Sequence, residues 1–290
     1  MTVLDRGTDR APSAPKQRQM LALLLLNANY VVSMSQFVEE LWEYNPPPSA
    51  VAAVHTYVMQ LRRTLHGKGP GAAGTTGRLE TRDQGYLLHV HPGELDLDLY
   101  ETQVQAARHT LEDGDLAEGA RMMRGALDMW RGQILADVPV GPLLQAALAV
   151  IERNRLDAVV RRIHTDLHLG RHHELIGELS ALVHQHPGHE ALTAQLMLAL
   201  YRSGRQADAI AIFHRLRRDL REELGATPCP RLQQLNADIL VAHPRLESPS
   251  GAGSQLSLDL LDLMAHQALD ARRASADEEA GTGASPVPVP

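Results

Sequence analysis

Apolar positions in this chain recur mostly at helical spacing. Met20, Leu21, Leu24 and Leu25 line one side of a helix that begins at Pro15 and is closed by Asn27 and Asn29. Ser33 and Ser35 can each cap a second helix, Gln36 to Tyr44, which Asn45-Pro46-Pro47-Pro48 ends because proline lacks the N–H a helix interior needs. Ser49 then caps a third helix running to His66-Gly67. On a wheel of about 100° per residue, Val51, Val54, Val58, Leu61 and Leu65 crowd one face of it, and Ser49, Thr56, Gln60 and Arg63 take the other. A Gly-rich stretch, Gly67 to Gly77, leads into two short extended runs, Arg78 to Thr81 and Tyr86 to Val90, joined through Asp83-Gln84-Gly85. Three helices and a basic hairpin predict a winged helix-turn-helix domain over residues 15–93. Residues 1–14 show no alternating pattern and read as a flexible arm.

From Leu97 onward helices alternate with glycine turns, beginning at Gly114, Gly170 and Gly204. The last two lie 34 residues apart, and Arg171, Ile176, Leu179 and Leu182 match Arg205, Ile210, Phe213 and Leu216 in that register. This is the tetratricopeptide period, in which stacked helix pairs share a core and leave a concave surface for partners. Residues 94–242 are therefore expected to form a tetratricopeptide-like helical repeat, and the fold class is mainly α. The tail, 243–290, reads as largely disordered, with one short amphipathic helix at 256–268 whose Asp259 and Asp262 oppose leucines.

Composition sharpens this picture little. The 290 residues contain only 3% aromatics, which favours packed helices over sheets, and the single Cys229 excludes an internal disulfide and fits a reducing cytoplasm. Met20 to Leu26 is the longest apolar run and is too short to span a bilayer; Met1 to Gln19 lacks the character of a secretory signal. Charge is more telling. The net −7 is uneven: residues 1–93 hold 9 Lys/Arg against 7 Asp/Glu, hence +2, and the remainder carries −9. A relatively basic first third is compatible with nucleic acid.

Several motifs together resemble the Streptomyces antibiotic regulatory protein family. They are Pro15-Lys16-Gln17-Arg18 with the leucine run after it, Val31-Val32-Ser33, Leu41-Trp42, Thr56-Tyr57-Val58 followed by Leu61-Arg62-Arg63, and the run from Arg78 through Gly85-Tyr86. Ala126 to Gly132, Met197 to Ala207 and Glu222-Glu223-Leu224-Gly225 continue the match, so it covers residues 15–241. The resemblance implies a response-regulator-type winged helix followed by a bacterial transcriptional activator domain of tetratricopeptide-like helices. It also implies binding to direct repeats upstream of biosynthetic promoters and recruitment of RNA polymerase. Three departures stand out. The family's small N-terminal β-sheet is expected to be missing, because residues 1–14 show no strand; the nucleotide-binding domain of longer members has no counterpart here; and the tail after His243 matches nothing in the family.

On the third helix, Thr56 and Gln60 can exchange hydrogen bonds with base edges, and Arg63 can bond guanine bidentately; these are the expected base readers. Arg62, displaced around the wheel, is expected on the DNA backbone with Ser49 and Tyr57. Lys16 and Arg18 at the first helix start suit phosphate, and Arg82 at the hairpin turn resembles the wing arginine of this fold. Other chemistry fails. The Gly67–Gly77 stretch is no phosphate loop, because Lys68 lies near its start and an extended segment follows, so it reads as a connector. His172-His173-Glu174 and His184, His186 and His189 lack the geometry of a metal site, and Cys229 between two prolines carries no nucleophile signature. Neither a cofactor nor enzymatic activity is expected.

The expected function is sequence-specific activation of an antibiotic biosynthetic gene cluster. Its partners would be double-stranded DNA, RNA polymerase holoenzyme and a second protomer, in the cytoplasm at the nucleoid and not at a membrane. The alternative is a tetratricopeptide-like interaction regulator with weak or no DNA binding of its own, favoured by the −9 charge beyond residue 93 and the missing strands.

Overall fold

The computed structural model describes residues 1–65 and 78–247. The connector expected at Gly67–Gly77 and the tail helix expected at 256–268 lie outside the described residues. By contact, residues 1–106 and 125–156 form one compact unit, and 107–124 with the chain from 157 form another.

The first unit opens with a hairpin of β1 (Leu4–Asp5) and β2 (Thr8–Asp9), paired antiparallel through Leu4↔Asp9 and Asp5↔Thr8. The expected flexible arm without strands is thereby corrected. Arg6 and Gly7, both at positive φ (50° and 81°), make the two-residue turn that suits a right-twisted hairpin. Asp9 Oδ1 accepts from the backbone N–H of Val3 (3.1 Å) and Ala11 (2.8 Å), and Met1 and Val3 pack on the core. Two-residue strands are too short to show an alternating pattern.

Helix α1 (Pro15–Leu26) starts with proline at its first position and ends at Asn27, whose amide donates to the Leu23 carbonyl (2.8 Å). Strand β3 (Val31–Ser33) follows, unforeseen by any pattern. Ser33 then closes a capping box with Gln36, which starts α2 (Met34–Trp42) two residues earlier than expected. Next come α3 (Ala50–Leu65), β4 (Leu79–Arg82) and β5 (Gly85–Leu88). Strand β5 lies between β3 and β4, antiparallel to both, with Val32↔Tyr86 and Thr81↔Tyr86 in register. Gly85 is required where β5 meets β3, because a Cβ there would lie 1.9 Å from the Val32 carbonyl oxygen. Met20, Leu24, Phe37, Leu41, Val54, Val58, Leu61, Tyr86 and Leu88 form the shared core.

The same unit takes in the start of α4 (Asp96–Glu112), the segment around Trp130 and the first half of α6 (Pro142–His168). Trp130 packs edge-on against Tyr100 with ring centroids 4.9 Å apart, and the Arg155 guanidinium lies 4.8 Å from its ring centroid. Glu40 of α2, 1% exposed, reaches the start of α6. Its carboxylate accepts from the N–H groups of Gly141 (2.7 Å), Leu143 (2.9 Å) and Leu144 (3.0 Å), and from the Gln19 amide (3.0 Å). A helix N-terminus presents such unpaired donors and favours negative charge. Gly141 allows this approach, since a Cβ would meet the Glu40 carbonyl oxygen at 2.1 Å.

The second unit contains most of α5 (Leu116–Leu127), the second half of α6, α7 (His172–Gln185), α8 (Glu190–Arg202), α9 (Gln206–Leu224) and α10 (Pro230–Leu240). Its repeat is visible in the turns. Gly114, Gly170 and Gly204 all have positive φ, and the residue after each donates its N–H five positions back: Asp115 to Thr110, Arg171 to Asp166, Arg205 to Leu200. Leu175 and Leu179 in α7, and Ala209 and Phe213 in α9, are buried at matching places. Order continues past the expected end at 242. Leu246 in the 3-10 turn Pro244–Leu246 is fully buried, and Arg202 donates to the carbonyls of Leu246 (2.8 Å) and Glu247 (3.4 Å).

Candidate nucleic-acid interface

Helix α3 follows three prolines, and its first turn is set by Ala50 N–H donating to the Pro47 carbonyl (2.9 Å). Ala50, Val54, Val58 and Leu61 are buried, so this edge of the helix faces the core. Val51 is half exposed and does not join the buried stripe assigned to it. Ala52, His55, Thr56, Met59 and Arg63 are exposed together, one or two per turn. Set against the wheel, this open face is turned from the expected one toward His55 and Met59. The physical reason is α1: Gln17 donates its amide to Gln60 Oε1 (2.6 Å), so Gln60 sits at the helix flank, half-buried.

The two adjacent arginines part company. Arg63 is exposed. Arg62 donates through Nε (3.0 Å) and Nη2 (2.8 Å) to the Leu79 carbonyl, and through Nη2 to Thr81 Oγ1 (2.8 Å), with its guanidinium 5.8 Å from the centroid of the Tyr86 ring. It fastens α3 to the wing. Tyr57 is partly buried against the core, and Thr56 spends its hydroxyl proton on the Ala52 carbonyl (2.9 Å), leaving the methyl and oxygen lone pairs outward. Ser49 is exposed just before α3, and its carbonyl accepts from Ala53 N–H (2.9 Å).

Lys16 and Arg18 are engaged within the fold rather than displayed. The Lys16 ammonium donates to the Leu41 carbonyl and lies 5.8 Å from the centroid of the Trp42 ring, at the end of α2. Arg18 donates to the carbonyls of Met1 (3.0 Å) and Pro12 (3.4 Å) and pairs with Asp137. Wing residue Arg82 is half exposed at the end of β4 and pairs with Glu80 (3.0 Å). Glu80 also meets His89 Nε2 (2.9 Å), and that hydrogen bond, with Arg82 nearby, holds its carboxyl below the usual range.

His55, absent from the sequence expectations, belongs to the open face. Its Nδ1 lies 2.6 Å from the Tyr86 hydroxyl. The signal was there in principle, since His55 precedes Thr56, but its partner lies 31 positions away.

Elsewhere the histidines have structural duties. His189 Nδ1 caps α8 by accepting from Leu192 N–H (3.3 Å). His164 and His172 are buried, and burial pushes each down to about 4. Asp166, 2% exposed, is surrounded by Arg124, Arg162 and Arg171, all within 3.1 Å. Cys229 N–H is held by Glu190 (2.8 Å). No helix among the described residues is long and apolar enough to cross a membrane.

Comparison with known proteins accounts for both parts of the chain. Residues 9–88 match the family model "transcriptional regulatory protein, C terminal", and residues 95–240 match "bacterial transcriptional activator domain". The regulatory protein DnrI of Streptomyces peucetius is 41% identical over 245 residues, spanning 83% of this chain and 89% of DnrI. The regulatory protein AfsR of Streptomyces coelicolor is 39% identical over 86% of this chain, which spans only 24% of AfsR. A solved structure of Mycobacterium tuberculosis EmbR, in complex with a low-affinity phosphopeptide, superimposes with a TM-score of 0.76 at 31% identity, covering 91% of this chain and 67% of that one. A winged helix with an open third helix, a helical repeat after it in the chain and this similarity to both modules at once lead to one assignment: the chain belongs to the Streptomyces antibiotic regulatory protein family of DNA-binding transcriptional activators.

Proposed function

We propose that this chain activates transcription of an antibiotic biosynthetic gene cluster by binding direct repeats in its promoters and recruiting RNA polymerase. The observation that carries this reading is the open face of α3, where Thr56 and Arg63 stand exposed on a helix whose opposite edge is locked into the core. An α-helix of this kind fits the major groove, with Arg63 paired to guanine and Thr56 meeting a neighbouring base. Gln60, whose Oε1 accepts from Gln17, reads a base from the flank through its own amide N–H groups. Ser49 meets a phosphate at the helix start, Arg82 takes the groove beside the wing, and Arg62 and Tyr57 act by holding α3 in place. Residues 15–93 are the DNA-binding part; residues 94–242 contact polymerase and a second protomer, and the protein works in the cytoplasm on nucleoid DNA.

A gel shift with the full chain on promoter direct repeats and on scrambled repeats tests this. Arg63→Ala should weaken binding to the repeats about ten- to a hundredfold without lowering the melting temperature. Equal affinity of wild type for both duplexes, or unchanged binding by Arg63→Ala, would overturn it.

A further inference from the structure

The open face of α3 contains a side chain that is held in place before any DNA arrives. His55 is exposed, and its Nδ1 sits 2.6 Å from the hydroxyl of Tyr86. Tyr86 is itself packed on several sides: it is 4% exposed, lies in β5 paired with Val32 and Thr81, packs on Phe37 with centroids 6.0 Å apart, and carries the Arg62 guanidinium over its ring. The two rings meet edge-on, at 79°. A buried wing tyrosine therefore sets the orientation of an exposed imidazole on the neighbouring helix.

The chemistry of that contact fixes the ring's other edge. A phenol is a far stronger acid than a neutral imidazole N–H, so the Tyr86 hydroxyl donates to Nδ1 and the ring proton resides on Nε2. In that tautomer Nε2 is a donor, and among the described residues it makes no hydrogen bond. Major-groove acceptors for one fixed donor are purine N7, guanine O6 and thymine O4, and guanine, with N7 and O6 side by side, offers the broadest accepting edge. Ala52 and Met59, the exposed neighbours one turn away on either side, add no competing charge.

We propose that His55 is a specificity-determining residue that reads a purine, preferentially guanine, through Nε2–H, and that Tyr86 is its positioning residue. This rests on α3 being the recognition helix, as proposed above. A role confined to fastening the wing would affect stability but not base preference, which separates the two.

The full chain is used to enrich binding sites from a random duplex pool, in parallel with His55→Ala, Tyr86→Phe and Arg63→Ala, each checked for folding by circular dichroism. His55→Ala is expected to lose about tenfold in discrimination at one purine position while keeping its preferences elsewhere. Tyr86→Phe should lose part of the same preference. On the wild-type side, 7-deazaguanine at that position should weaken binding by a similar factor and have no further effect on His55→Ala. The proposal is overturned if His55→Ala enriches the wild-type sequence unaltered, or if 7-deazapurines at every enriched purine position bind the wild type normally. Should Arg63→Ala shift the enriched sequence while His55→Ala does not, only the role of His55 fails. If neither variant shifts it, or the wild type enriches nothing, the reading of α3 fails as well.

Discussion

The start of α1 and the open face of α3 both carry polar and cationic side chains that suit DNA, yet the fold treats them in opposite ways. Lys16 and Arg18 are tied to the Leu41, Met1 and Pro12 carbonyls and to Asp137, all inside the first unit. Arg63, Thr56 and His55 remain at the surface. Arg62 and Arg63 repeat the contrast between adjacent residues, one fastened to β4 and the other exposed. A cation's identity therefore says little about its role; what surrounds it determines whether it holds the fold together or meets a ligand.

The largest expected effect comes from a polar group wholly committed to the fold. Glu40→Ala removes the acceptor of three backbone N–H groups at the start of α6 and of the Gln19 amide. Leaving those buried donors unpaired should cost about 3 kcal/mol of stability, read by urea unfolding. The sites enriched by the surviving folded protein should not change. A loss below about 1 kcal/mol would mean that water satisfies the α6 terminus just as well.

Next in size is an acid-driven loss that comes from two buried histidines. The folded protein holds His164 and His172 down at about 4, below the ordinary 6.5, mainly through burial. The unfolded chain therefore takes up protons first as pH falls. Their contribution is complete above pH 6.5 and is lost progressively as pH drops from 6.5 to 4. Between pH 7.5 and 5, before carboxylates titrate appreciably, the unfolding free energy should fall by about 1–3 kcal/mol. His164→Gln should flatten this slope; a slope equal to that of the wild type would contradict the burial argument.

The smallest effect is the sharpest test of the comparison. Arg18→Ala should lower stability by no more than about 1 kcal/mol and change affinity for specific DNA less than about twofold. The salt dependence of binding should keep its slope, because no phosphate contact is lost. A slope reduced by about one would place Arg18 in the interface after all.

Much of the architecture was legible locally. Pro15 at the first turn of α1, the Pro46–Pro48 break before α3 and the glycines at 114, 170 and 204 act through backbone conformation, which depends on near neighbours. The buried stripe Val54, Val58 and Leu61 was readable for the same reason, since helical spacing alone puts these residues on one side. The hairpin at Leu4–Asp9 and strand β3 were not readable. Two or three residues cannot display an alternating pattern, and their partners supply the hydrogen bonds that make them strands.

The sequence by itself determined that helices form around these apolar repeats, the glycine-marked repeat that follows the winged helix, and the edge of α3 that must be buried. Tertiary structure alone decided which polar groups remain outside. Gln60 is held at the flank of α3 by Gln17, Arg62 is taken up by Leu79 and Thr81, and His55 lies on the open face against Tyr86. Helical spacing is a property of consecutive residues. A hydrogen bond between Glu40 and Gly141, 101 positions apart, forms only where packing has already brought its ends together.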